Sequence, residues 1–290
     1  MSRTFLKMNG LGNDFVVVQT LTQSFDPTPE EIRAIAKRGE GGIGCDQVIA
    51  IDPPRAEGAS AYVRFWNADG EEAGACGNGT RCVAWLLMQS AGKDAVAFDT
   101  VAGRMSGTAA GDRLVTVDMG PPRLEWSQIP LAEEMDTARV ELQVGPIDNP
   151  ILHSPSVASM GNPHAVLEIG DLGFSSLDEV PIGQWGPQVE THPAFPRKVN
   201  AGFMQVLNRA EIRLRVHERG AGETLACGTG ACAAVVAGIL QGKLDSEVTV
   251  HARGGDLRVR WEGPGQPVWM TGPAVTVFEG EMAWPPAQPA

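Results

Sequence analysis

The feature that most constrains the fold of this chain is an internal duplication. Gly12-Asn13-Asp14-Phe15-Val16-Val17 resembles Gly161-Asn162-Pro163-His164-Ala165-Val166, and Cys76-Gly77-Asn78-Gly79 resembles Cys227-Gly228-Thr229-Gly230. Between them, Gly44-Cys45-Asp46-Gln47-Val48-Ile49 resembles Gly202-Phe203-Met204-Gln205-Val206-Leu207 more faintly. The matches keep one order, at offsets of 149, 158 and 151 residues. With 290 residues in all, the chain has room for two domains of about 100–200 residues. The duplication therefore predicts two equivalent halves.

Local signals fill in each half. In the first, Phe15–Thr20 reads as a strand from its valines. Thr28-Pro29-Glu30-Glu31 opens a helix with an N-cap, a proline and acidic first-turn residues, and Gly39 closes it. Strands are expected at Ala61–Asn67, Ala95–Val101 and Leu114–Met119, the last two linked by Gly-rich turns, with a helix from about Thr80 to Ser90. The second half repeats this with strands at Ala165–Ile169 and Glu211–His217 and a helix from about Gly230 to Gln241. Both helices after the Cys-Gly-x-Gly turns are apolar nearly all round, which predicts burial on every side. The fold class expected is α+β: two pseudo-symmetric domains, each a curled mixed β-sheet around a central buried helix. Prolines between Gly120 and Pro130 mark the link, and the Pro-rich tail after Trp284 is expected to be poorly ordered.

Composition excludes several functions. Hydrophobic residues at 43% and charged residues at 20% support a packed core rather than disorder. A net charge of −12 argues against a nucleic-acid binder, despite the local cluster Arg213, Arg215 and Arg219. The longest apolar run, Ala231–Leu240, is about half of what a bilayer span needs, so no membrane partner is expected. The first residues, MSRTFLKMNGLGNDF, lack a signal-peptide core, and five cysteines do not form an even disulfide framework. A cytoplasmic protein with reduced thiols is expected.

Cys76 and Cys227 carry the chemistry. Each precedes a Gly-x-Gly turn that opens a buried helix. The first N–H groups of a helix have no internal partners, and the helix dipole adds positive charge there. A thiolate is stabilised in that setting, so the thiol pKa is expected to fall towards working pH. A carboxylate can dock on the same N–H groups. Two such sites suggest a cleft with a thiol on each wall, able to take a proton from one face of a carbon and return one to the other. Inversion at an amino-acid α-carbon needs this pair, with helix N-termini to stabilise the developing charge on the carboxylate. Two thiols flanking one carbon would also form an inactive disulfide on oxidation. Cys45, Cys82 and Cys232 read as structural. No zinc-ligand spacing occurs, the nucleotide signal at Gly220-Ala221-Gly222 is weak because no Gly-Lys-Ser/Thr and no Rossmann pattern accompany it, and none of Lys7, Lys37, Lys93, Lys198 and Lys243 lies in a recognisable Schiff-base site. No cofactor and no metal are expected.

Five stretches together resemble the diaminopimelate epimerases, cofactor-independent enzymes that interconvert LL- and meso-diaminopimelate: MNGLGNDFVVV, NADG-x5-CGNGTRC, MGNPH, NAGFMQV and HERGAGETLACGTGACA. The resemblance runs from residue 6 to about residue 280. It implies domains of residues 1–122 plus about 274–290 and of residues 123–273, closing on a substrate, and a homodimer. It makes Cys76 and Cys227 the acid/base pair, with Gly77-Asn78 and Gly228-Thr229 holding the carboxylate at the reacting carbon. It places Asn13, Gln47, Asn67, Asn162, Asn200, Glu218 and Arg219 in the substrate pocket, and gives His164 and Glu218 the task of tuning the thiols. Arg219 suits the distal carboxylate because its planar fork binds carboxylates bidentately.

Taken singly, Asn13 and Asn67 read equally well as turn residues, His164 as a core histidine and Glu218-Arg219 as a solvated pair. His153, His192, His217 and His251 are left as structural. Phe278 departs from the family, where a tyrosine serving dimer contacts is common. Two alternatives stand beside the main reading: a proline racemase or hydroxyproline epimerase on the same fold, and a thiol redox or ligand-binding protein.

Overall fold

A computed structural model describes residues 2–284 except residues 22, 75 and 147. The tail after Trp284 lies outside the described residues. The chain divides into two compact units: one runs to Asp118 and resumes at Thr271, and the other is Met119–Met270. Four α-helices and a predominance of strands among the described residues make this an α+β chain.

The first unit opens with strands β1 (Ser2–Gly10) and β2 (Asn13–Gln19), helix α1 (Pro29–Ala36), and strands β3 (Gln47–Asp52), β4 (Tyr62–Asn67) and β5 (Glu72–Ala73). Helix α2 (Gly77–Ala91) and strands β6 (Ala95–Thr100), β7 (Gly103–Gly111) and β8 (Leu114–Asp118) follow. β1 pairs antiparallel with β2, β2 parallel with β3, and β3 antiparallel with β4. β4 pairs antiparallel with β5 and parallel with β6. The valines of β2 face both ways, because successive side chains in a strand alternate. Val16 and Val18 join Val48, Ile32 and Ile35 in the core under α1. On the opposite face, Ile49 and Phe65 lie against the first turn of α2 at Gly79. A strand buried on both faces has a near-continuous apolar run, as seen at Phe15–Val18.

In the second unit a short hairpin, β9 (Gln143–Val144) with β10 (Leu152–His153), precedes β11 (Ser156–Ser159), β12 (Pro163–Glu168), α3 (Ile182–Glu190), β13 (Asn200–Asn208), β14 (Glu211–Glu218) and β15 (Gly222–Glu223). Helix α4 (Gly228–Leu240) leads to β16 (Glu247–Ala252) and β17 (Gly255–Arg260). The pairing sequence is the same as in the first unit. β11–β12 is antiparallel, β12–β13 parallel, β13–β14 antiparallel, β14–β15 antiparallel and β14–β16 parallel. Strand β18 (Trp269–Pro273) then pairs with β8, and β19 (Val275–Ala283) lies antiparallel to β1 from Ser2↔Ala283 to Asn9↔Val275.

These registers correct one of the three sequence matches. Phe15 stands opposite Gln47, and His164 stands opposite Asn200. The counterpart of Gln47 is therefore Asn200 rather than Gln205, which lies five residues further along β13. Short apolar strand segments resemble one another at several offsets, and only the partner strand fixes the register.

The two central helices differ in burial. Helix α4 is enclosed by β11, β12, β13, β14 and β17, and every residue from Gly230 to Gly238 is buried. Helix α2 packs on β1, β6, β7 and β8, but Trp85, Leu86 and Leu87 are only half-buried and Gln89, Ser90 and Ala91 are exposed. Burial on all sides thus holds for α4 alone. Gly92, left-handed at φ 61, terminates α2, as its lack of a Cβ permits.

The segment read from sequence as Gly-rich turns is the nine-residue strand β7. Its Gly107 serves close packing: an added Cβ would sit 2.5 Å from the Cβ of Ala84 on α2. Gly107→Ala should therefore destabilise the fold by about 1–3 kcal/mol through overpacking. Its denaturant midpoint should fall; an unchanged midpoint would show that the helix can retreat without cost.

Candidate active site

Both singled-out cysteines are helix N-caps in the same extended conformation. Cys76 precedes α2 with φ −140 and ψ 117, and Cys227 precedes α4 with φ −125 and ψ 109. The first helical hydrogen bonds run from Thr80 N–H to the Cys76 carbonyl (2.7 Å) and from Ala231 N–H to the Cys227 carbonyl (2.9 Å). Glycine at the third helical position is closely packed in both. A Cβ on Gly79 would stand 2.9 Å from the Phe65 ring, and one on Gly230 would stand 3.0 Å from Val216 and 3.3 Å from Cys227 Sγ.

Within the first unit, Asn13, Gln47, Asn67 and Asn78 form two amide pairs. Asn13 opens β2 after a tight turn in which both Leu11 (φ 63) and Gly12 (φ 91) are left-handed, the geometry a two-residue hairpin favours. Leu11 holds this disfavoured conformation while buried. Asn13 Nδ2 donates to Asp46 Oδ2 (3.1 Å), which fixes the amide because a carboxylate only accepts. Asn13 Oδ1 then accepts from Asn78 Nδ2 at 2.6 Å. Gln47 Nε2 donates to Asn67 Oδ1 at 2.8 Å across the β3–β4 pair. This leaves Asn78 Oδ1 and Gln47 Oε1 buried without a protein donor. An unsatisfied buried acceptor is costly, and a ligand bearing several N–H groups would relieve it.

A charged network that sequence reading missed supports these amides. Arg38 binds Asp14 through both terminal nitrogens (3.0 and 2.7 Å) and reaches Asp46 Oδ1 at 2.6 Å. Lys7 joins Asp14 at 2.6 Å and also donates to the Gly44 carbonyl. Burial opposes ionisation of Asp14, but Arg38 and Lys7 outweigh it and hold the carboxyl down at about 2. The available signal was position: Asp14 and Asp46 each adjoin a predicted site residue, Asn13 and Gln47.

The second unit gathers Cys227, Thr229, His164, Asn162, Asn200 and Glu218. Cys227 Sγ lies 3.5 Å from Thr229 Oγ1, which lies 3.0 Å from His164 Nε2. His164 Nε2 is also 3.2 Å from Asn162 Oδ1 and 3.5 Å from Asn200 Nδ2. Burial and then the Arg219 charge push His164 down to about 3, so the ring is neutral. Asn200 is fixed at both ends of its amide: Oδ1 accepts from Arg219 N–H (2.8 Å), and Nδ2 donates to the Pro163 carbonyl (3.0 Å). Glu218 accepts from the Thr224 hydroxyl at 2.5 Å. The Arg219 guanidinium is exposed and donates to the Arg197 carbonyl at 2.8 Å, so of the predicted set only its main chain is bonded, to Asn200.

The expected fall in thiol pKa is overturned at Cys227. Burial, followed by the Glu218 charge, pushes this thiol well above its ordinary value, while the Thr229 hydroxyl and the Gly230 N–H pull weakly the other way. Desolvation of a thiolate in an apolar setting outweighs two hydrogen-bond donors at the helix start. Cys227 is thus a protonated thiol at neutral pH. Its alkylation by iodoacetamide, followed by peptide mass spectrometry, should rise about tenfold per pH unit from pH 7 to 9. A plateau near pH 7 would contradict the shift. Cys45 and Cys82 are buried and pushed up to about 12 by burial, as inert structural thiols should be.

The sequence matches the diaminopimelate epimerase family over residues 5–125 and 156–277. The diaminopimelate epimerase of Caulobacter vibrioides (strain NA1000 / CB15N) is 66% identical over 286 residues, covering 97% of this chain and 98% of that protein. That of Phenylobacterium zucineum (strain HLK1) is 56% identical over 282 residues, with 97% and 98% covered. Among solved structures, a hydroxyproline epimerase from Agrobacterium vitis aligns with a TM-score of 0.68 at 16% identity, over 98% of this chain and 93% of that one. A phenazine biosynthesis protein of Bacillus anthracis aligns at 0.64 and 15% identity, over 98% and 99%. The last two share the fold, whereas the family match and the high identities reach further. The chain belongs to the diaminopimelate epimerase family.

Proposed function

We propose that this chain interconverts LL- and meso-diaminopimelate without pyridoxal phosphate, using Cys76 and Cys227 as the acid/base pair. The observation that carries the reading is the repeated setting of the two cysteines: one extended N-cap conformation, one closely packed Gly-x-Gly helix start and one pairing order of the strands around each.

In the direction that starts with a Cys76 thiolate, Cys76 takes the α-proton to become a thiol. The electron pair left on the α-carbon is delocalised into the carboxylate. The Cys227 thiol then donates its proton to the opposite face and becomes the thiolate. In the reverse direction the roles exchange, so no proton or charge is gained or lost over a cycle. N–H groups at Gly77-Asn78 and Gly228-Thr229 would stabilise the developing charge on the carboxylate. The bare oxygens of Asn78 and Gln47 suit an ammonium, which has donors only. Arg219 would take the second carboxylate of the substrate.

The raised pKa of Cys227 fits a group that rests as an acid. His164, neutral and bonded to Thr229, would tune that neighbourhood through hydrogen bonding rather than charge. No described helix is long and apolar enough to cross a membrane. A cytoplasmic homodimer, acting in lysine and peptidoglycan precursor synthesis, completes the proposal.

The test is proton NMR of LL-diaminopimelate in D2O with freshly reduced protein and no added cofactor. Loss of the α-proton signal together with growth of the meso isomer is the expected result. Absence of exchange with folded, reduced protein would overturn the substrate assignment.

A further inference from the structure

Behind the Glu218-Arg219 turn lies a buried carboxylate with no part in the chemistry above. Glu190 ends α3 and is 7% exposed. Its Oε2 lies 2.9 Å from His217 Nε2, and its Oε1 accepts from Lys198 Nζ and from Gly220 N–H, both at 3.2 Å. Its main-chain carbonyl accepts from Val199 N–H at 3.2 Å. One residue thus ties together the end of β14, the segment that enters β13, and the turn that carries Arg219.

The His217 ring can serve this carboxylate in one way only. Its Nδ1 is buried without a partner, and an added Cβ on Gly186 would lie 2.7 Å from that atom. No acceptor reaches Nδ1, and the carboxylate at Nε2 only accepts, so Nε2 donates to Glu190. The turn is equally constrained: Ala221 N–H bonds to the Glu218 carbonyl at 3.0 Å, with Gly220 left-handed at φ 75 in the third position. Next to Arg197, whose carbonyl receives the Arg219 guanidinium, Lys198 holds a left-handed φ of 59, disfavoured for a residue with a Cβ.

We propose that Glu190 is a positioning residue for the Glu218-Arg219 turn, setting where the Arg219 guanidinium stands and hence how well the second carboxylate of the substrate is held. This rests on the reading of Arg219 given under Proposed function. The isosteric change Glu190→Gln turns an amide N–H towards either His217 Nε2–H or the Lys198 and Gly220 donors, and it removes the charge that holds them. Its kcat/KM for diaminopimelate should fall about 10- to 100-fold, the loss carried by KM, as misplacement of a binding group predicts. In an Arg219→Leu background the same change should cost no more than about threefold, because the group it positions is already gone. An equal loss in both backgrounds would overturn the proposal.

Hydrogen exchange reads the turn without any substrate. In Glu190→Gln, a peptide covering residues 216–222 should lose protection while one covering residues 228–240 keeps it; unchanged protection at the turn overturns the anchor. Should the reduced wild-type protein fail to epimerise diaminopimelate, the functional reading falls while the exchange result still decides the anchor. Lys198→Met, which leaves the buried Glu190–His217 pair in place, provides a variant safe for folding. Its KM should rise about two- to fivefold, and an unaltered KM would also count against the proposal.

Discussion

Cys76→Ser and Cys227→Ser should each reduce epimerisation by about 10²–10⁴-fold, the range that a positioned acid or base contributes. Serine keeps the size and the N-cap geometry but not a group that ionises in the working range, so the loss tests chemistry rather than folding. The two variants should also differ in kind. With one thiol gone, the other can still remove and return a proton on its own face of the α-carbon. Each variant should therefore wash deuterium into one isomer only, and the two should choose opposite isomers. Measuring α-proton exchange for LL- and meso-diaminopimelate separately in D2O checks this. Rates close to wild type in both variants would end the two-thiol mechanism. Retained ligand binding with no exchange in the wild-type protein would favour a binding module on this scaffold.

Arg219→Leu should lower kcat/KM for diaminopimelate by about 10- to 150-fold, equivalent to the roughly 1.5–3 kcal/mol of a hydrogen bond to a charged group. The loss should lie mainly in KM, since a second carboxylate bound by Arg219 would be held alike in the ground and transition states. Arg219→Lys should recover part of it, because a point charge replaces a planar fork. The guanidinium is exposed and bonded to the Arg197 carbonyl, a bond that a substrate carboxylate would replace. Near-normal kcat/KM in the leucine variant would remove the chief reason for preferring diaminopimelate over a substrate with one carboxylate, such as proline.

Much of the candidate site was legible because its residues sit in short local motifs. Cys76 and Cys227 are marked by the glycines after them, and those glycines are needed for contacts with Phe65 and Val216. The Thr28–Glu31 capping box is equally local: Glu31 N–H donates to Thr28 Oγ1 at 3.3 Å, and Thr28 N–H donates to Glu31 Oε2 at 2.8 Å. Strand β7 was not legible, since the glycine that admits α2 beside it looks in sequence like a turn residue. Helix α3 was equally hidden, with Pro187 inside it. Nothing local to it announces that Glu190, at its end, reaches a turn thirty residues away.

By itself the sequence determined the α+β class, the duplication, the two helix-capping cysteines and the family, because each rests on residue types at fixed local spacing. Only the tertiary structure decided that Asn200 is the counterpart of Gln47, that Asp46 and Arg38 orient Asn13, and that Cys227 is a protonated thiol. The physical reason is the same in each case. Strand register, hydrogen-bond direction and desolvation depend on which distant groups the fold brings within a few ångströms, and local spacing carries no record of them.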